Sequence, residues 1–107
     1  MNAEFVCLTL IAGGSLREKL LDYLSEQRDL VSDFTTFIVE GHGPDVRLQT
    51  AAERVKGYAD QLMVRTVLQA HDATQLLERL NTAFVGSRIV YSIMPVTEFG
   101  VIGGPVR

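Results

Sequence analysis

The residues with the most chemical potential gather at one break in the chain. Gly41-His42-Gly43-Pro44-Asp45 follows an apolar run, and two glycines and a proline interrupt any regular structure there. A loop imidazole is free to take a metal or an anion, and Asp45, three residues on, can add an oxygen ligand. Gly41 and Gly43 would let the backbone approach such a ligand closely. His42 and Asp45 are therefore the candidate ligands for a divalent metal ion, although stable metal sites collect three or four ligands. The competing reading of His42 is an exposed turn residue. Cys7 lies mid-run between Val6 and Leu8 and reads as a small buried hydrophobe. His71 reads as an exposed residue ahead of a helix cap.

A second set of residues is basic. Arg47, Arg54, Lys56, Arg65 and Arg88 cluster in and around the segment after that break. Guanidinium forks match phosphate and carboxylate oxygens, so Gly41, Gly43, Arg47, Arg65 and Arg88 form a candidate anion site. Ordinary solvated charge, offset by Asp45, Glu53 and Asp60, is the competing reading. The polar segment 43–57 is much longer than the usual hairpin connection of about 2–5 residues, which marks it as a candidate docking arm. No nucleophile–base motif, paired carboxylates or Walker-type loop is present, so no enzyme is expected.

The bulk properties narrow the setting. A chain of 107 residues fits one domain, and 47% hydrophobic with 21% charged residues is a globular balance. A formal net charge of -3 gives no footprint for a phosphate backbone, so nucleic-acid binding is not expected. The single Cys7 rules out an internal disulfide. The run 5–12 is far short of the roughly 20 apolar residues of a membrane span. It also lacks a basic leader, so a cytoplasmic location without membrane insertion is expected.

The elements that must position these residues follow from pattern. Residues 4–12 read as a strand apolar on both sides, with Phe5, Cys7 and Ile11 opposite Val6, Leu8 and Leu10. Ser15 and Glu18 have capping-box spacing, and Leu16, Leu20, Tyr23 and Leu24 make a helical stripe ending near 27–29. Strands are expected at 33–40 and 60–70, with 45–57 irregular. A second helix is expected to open at Asp72, boxed by Gln75, with a stripe of Ala73, Leu76, Leu77, Leu80, Ala83 and Phe84. Gly86 ends it, a strand at 88–94 follows, and 99–102 could form a short edge strand. The order β-α-β-β-α-β defines an α+β ferredoxin-like plait with both helices on one sheet face. The other apolar side of the first strand then needs cover, and a further copy of the chain is the simplest one.

With that order in place, the chain resembles the PII-like signalling family over about residues 3–98. The stretch Phe37-Ile38-Val39-Glu40-Gly41-His42-Gly43 is similar to the family's second strand and the Gly-x-Gly that opens its T-loop. Leu62-Met63-Val64-Arg65-Thr66-Val67-Leu68 is similar to the returning strand. The nearest likeness is to an uncharacterised bacterial branch whose genes tend to lie beside heavy-metal efflux systems. The resemblance implies a homotrimer, with a T-loop at about 43–57 that docks on a protein partner. It points to a membrane metal-efflux transporter as that partner. Pro44 stands where PII proteins carry a basic residue, and Val85-Gly86-Ser87-Arg88 replaces their glycine-rich phosphate loop. Arg88 would stand for the phosphate-binding lysine, but the missing backbone donors argue against ATP binding in the PII manner. No tyrosine falls in the T-loop before Gly57, and only Arg107 remains of the arginines after the last strand. A non-sensing structural oligomer and a dimeric α+β barrel share the element order and stay open as alternatives.

Overall fold

The computed structural model describes residues 4–104, so Arg107 lies outside the described residues. Its first strand, β1 (Phe5–Gly13), alternates strictly between buried and half-buried positions. Val6, Leu8, Leu10 and Ala12 enter the core, while Phe5, Cys7, Thr9 and Ile11 face the other way. Strand β2 is Thr35–Gly41, β3 is Ala59–Gln69 and β4 is Val90–Val96. The sheet order is β2-β3-β1-β4, antiparallel throughout. This is the expected plait, and β1 and β3 are its central strands.

Helices α1 (Arg17–Glu26) and α3 (Ala70–Ala83) bury Leu20, Leu24, Ala73, Leu76 and Leu80 against Leu8, Leu10, Leu62 and Val64. Both helices thus cover one sheet face. Phe84 closes the bottom of this layer, edge-on to Tyr23 with ring centroids 5.4 Å apart. Arg79 on α3 forks onto Asp29 at 2.8 and 2.9 Å and reaches Gln27, tying α3 to the chain beyond α1.

Several local expectations are corrected. Neither expected capping box forms. A 3-10 turn at Gly14–Leu16 precedes α1, and the Ser15 hydroxyl donates to Gln49 instead of capping the helix. Helix α3 starts at Ala70, so Asp72 sits inside its first turn, and His71 is in the helix, hydrogen-bonded to Gln75. The last strand is displaced to Val90–Val96 and passes through Pro95, which an edge strand tolerates. No strand forms at 99–102, where the chain makes a turn instead. Tyr91 on this strand is exposed.

The segment expected to be irregular contains a helix. Helix α2 (Ala51–Lys56) opens on a complete capping box between Thr50 and Glu53 and stops at Gly57, whose φ of 86° suits glycine. The pattern Thr-x-x-Glu at 50–53 is the sequence signal of this cap, and no apolar stripe accompanies it.

Among the described residues, the face of the sheet away from α1 and α3 carries no helix, and only Phe99 packs on it through an aromatic pair, 5.6 Å from the Phe5 ring centroid. Residues directly paired across antiparallel strands share a face, so the register defines its rows. Phe37, Met63, Ile11 and Val90 form one apolar row across all four strands. Thr35, Arg65, Thr9 and Ser92 form a polar row beside it, and Val67, Cys7 and Met94 a second apolar row. Phe37, Val90 and Met94 are exposed, at 38%, 63% and 62%.

This division sets the first prediction. Leu8→Ala is expected to cost about 2–5 kcal/mol, because Leu8 is wholly buried between both helices and the sheet. Ser15→Ala and Asp72→Ala are expected to cost under about 0.5 kcal/mol each, because neither caps a helix. Urea midpoints at one fixed protein concentration check both; a loss of about 1 kcal/mol or more at Ser15 or Asp72 would restore the expected caps.

Candidate functional site

The predicted site residues separate into three places. His42, exposed after β2, sits 3.2 Å from the Glu40 carboxylate and 5.3 Å from the Tyr58 ring centroid. Lys56 covers the same Tyr58 ring at 4.8 Å and forms a two-oxygen ion pair with Asp60 at 2.9 Å. That pairing holds the Lys56 ammonium above its ordinary pKa. Arg65 projects from the open sheet face and stacks on Phe37 at 5.5 Å. It is therefore separate from the other basic residues of the candidate anion site.

The third place is an open cleft of about 380 Å³ at the loop end of that face. Its floor includes Ile11, Gly13 and Gln61, its far side is Arg88 and Val90, and the segment after β2 brings in Asp45 and Arg47. The fold thus unites Arg47 and Arg88, forty-one positions apart in the sequence. Asp60 also lines the cleft, but Lys56 neutralises it. The two guanidiniums then outweigh Asp45, and the cleft suits a small oxyanion. Asp45 belongs to this charged cleft. Among the described residues no three of the His, Cys, Asp and Glu side chains gather as a metal centre; His42 pairs with Glu40, while Asp45 lines the cleft.

The predicted glycines serve the backbone. Gly41 is buried, and a Cβ there would collide with the Gln61 side chain. Gly43 has a φ of 120°, which side chains rarely adopt. Arg88, with a φ of 60°, is the one non-glycine residue of positive φ among the described residues. A left-handed arginine costs roughly 1–2 kcal/mol of backbone strain.

Glu53 is the residue that sequence reasoning passed over as background charge. It is 4% exposed, and its carboxylate accepts backbone N–H bonds from Gln49 at 2.6 Å, Asp60 at 2.6 Å and Thr50 at 3.2 Å. These bonds, that from Gln49 foremost, hold its carboxyl below the ordinary carboxylate range. Gln49 and Asp60 both line the cleft, so Glu53 braces it from behind.

An antiparallel four-stranded sheet with two helices on one face and a long structured connection after the second strand is the PII-like version of the ferredoxin-like fold. The protein-family match is more specific. Residues 2–103 match the model described as "Protein of unknown function (DUF3240)", and the chain belongs to that family. Its fold is similar to a DUF3240 family protein of Shewanella baltica OS155, with a TM-score of 0.74 and 21% identity over 94% of this chain and 98% of that one. It is also similar to CPII of Thiomonas intermedia K12, a nitrogen regulatory PII-like protein bound to ADP, AMP and bicarbonate. That match has a TM-score of 0.64 and 18% identity over 91% and 96% of the two chains. The GlnK–ATP complex of B. subtilis matches with a TM-score of 0.58 and 16% identity over 91% and 85%. No curated protein matches the sequence. Among the described residues no helix is long and apolar enough to cross a membrane.

The strained Arg88 yields a test of the cleft's construction. Arg88→Gly is expected to leave stability unchanged or to raise it by up to about 1 kcal/mol, because glycine adopts this φ freely. Arg88→Val is expected to lose about 1 kcal/mol or more against wild type. A glycine variant less stable than the valine one, by urea denaturation, would show that the backbone does not constrain this position.

Proposed function

We propose that this chain is a small PII-like regulatory protein, homotrimeric and cytoplasmic, that reads a small oxyanion in the Arg47–Arg88 cleft. The observation that carries this reading is that Arg47 and Arg88 both line one cleft, whose Asp60 is paired with Lys56. Arg88 keeps a long cationic side chain on a backbone that glycine would hold without strain, which favours a task for the guanidinium itself. Phosphate, carboxylate and bicarbonate share the required chemistry, and the PII-like neighbour from Thiomonas intermedia was solved with two nucleotides and bicarbonate. The segment 43–57 overhangs this cleft through Asp45, Arg47 and Gln49, so its conformation can report occupancy to a protein partner. A membrane transporter of metal efflux is the partner that the resemblance implies. No catalysis is assigned.

A divalent metal ion at His42 is the second reading, favoured by the His42–Glu40 pair beside Asp45 in sequence. Titration calorimetry against inorganic phosphate, bicarbonate, AMP, ADP and zinc separates the two. The oxyanions are expected to give saturable heats that Arg47→Ala and Arg88→Ala each weaken at least tenfold, about 1.4 kcal/mol. Zinc binding that disappears in His42→Ala, without any response to the anions, would replace the anion reading with the metal one.

A further inference from the structure

The only buried residue of α2 is Glu53. Ala51 and Ala52 are exposed, and Val55 is 87% exposed, so no apolar side chain fastens this helix to the body. A helix of six residues does not hold itself together in water, since nucleation is unfavourable and few propagating bonds follow. The other side-chain ties are the exposed Lys56–Asp60 pair, Lys56 over the Tyr58 ring at 4.8 Å and the exposed Ser15–Gln49 bond, all weak kinds of contact. Against these stand four hydrogen bonds centred on one side chain and its cap. Glu53 Oε1 accepts from the N–H of Gln49 and Thr50, Oε2 accepts from the N–H of Asp60, and the Glu53 N–H donates to the Thr50 hydroxyl. Bonds to a charged acceptor are roughly twice as strong as neutral ones.

We propose that the Glu53 carboxylate is a positioning latch that holds α2 and the Gln49 and Asp60 edges of the cleft as one switchable unit. The two carboxylate oxygens divide the work. One fixes the chain entering α2, the other fixes the first residues of β3, and losing either separates the loop from the sheet. Because the latch is polar and lies outside the apolar core, the segment opens without unfolding the sheet. Whatever occupies the cleft beside Gln49 and Asp60 then favours the latched form, and release of the latch weakens its binding. The latch rests on the hydrogen bonds alone; its link to ligand binding rests on the oxyanion reading of the cleft.

Amide hydrogen exchange of the full chain, followed residue by residue by NMR without added anion, tests it. In Glu53→Ala the hydrogen-bonded amides of Gln49, Thr50, Glu53, Arg54, Gly57 and Asp60 are expected to lose protection at least tenfold, while the amides of Leu8, Leu10 and Val64 keep theirs. Glu53→Gln, with one carbonyl oxygen in place of two carboxylate oxygens, is expected to fall between wild type and alanine. Thr50→Ala is expected to expose the Glu53 amide while Asp60 stays protected. Unchanged protection at 49–60, or an equal loss across the core strands, would overturn the latch. A phosphate titration of Glu53→Ala, whose Arg47 and Arg88 are intact, is expected to show at least tenfold weaker binding than wild type. Phosphate bound equally well by both proteins would break the link between latch and cleft. A wild type that binds no phosphate would instead contradict the oxyanion reading and leave the exchange result standing.

Discussion

Strand β1 carries the central constraint of this molecule. It pairs along both edges, with β3 on one side and β4 on the other, and apart from Thr9 its side chains are apolar on both faces. Val6, Leu8 and Leu10 meet α1 and α3, which uses up the two long helices. Phe5, Cys7 and Ile11 are left on a face where Phe37, Met63, Val67, Val90 and Met94 join them through the register. The apolar rows are separated by the Thr35–Arg65–Thr9–Ser92 row, so the face is patterned. Such a surface favours cover by a partner with matching rows, and identical chains supply one.

The cleft depends on the same strand. Ile11 and Val90 belong both to the open apolar row and to the floor and wall of the cleft. Anything covering the open face therefore borders the Arg47–Arg88 site. The other wall of the cleft is held in a different way, by a buried carboxylate and backbone amides rather than by apolar packing. The molecule thus joins a sheet with an apolar core to a loop of polar construction, and the cleft lies where the two meet.

The sheet, its helices and the open face were legible because they are written as hydrophobic periodicity. The alternation at Val6, Leu8 and Leu10 and the stripe through Ala73, Leu76 and Leu80 report burial directly. Helix ends were less legible: Ser15 and Asp72 have the composition of caps, yet Ser15 bonds to Gln49 and α3 begins before Asp72. The cap that forms, Thr50 with Glu53, was hidden because α2 has no apolar face. The cleft was half legible. Arg47 and Arg88 were candidates from charge alone, but only the fold separates them from Arg65, which points to the sheet face. The role of Glu53 depends on Gln49 and Asp60 coming together, and local sequence does not encode that meeting.

What covers the open face decides the assembly of this molecule. Light scattering of the purified full chain, with Ile11→Asp beside it, measures this directly. Three chains per particle for wild type, reduced to one in the Ile11→Asp variant, is the predicted result. A wild-type particle of one chain would leave the apolar rows uncovered and contradict this assembly, and a particle of two chains would assign the assembly to the dimeric barrel instead.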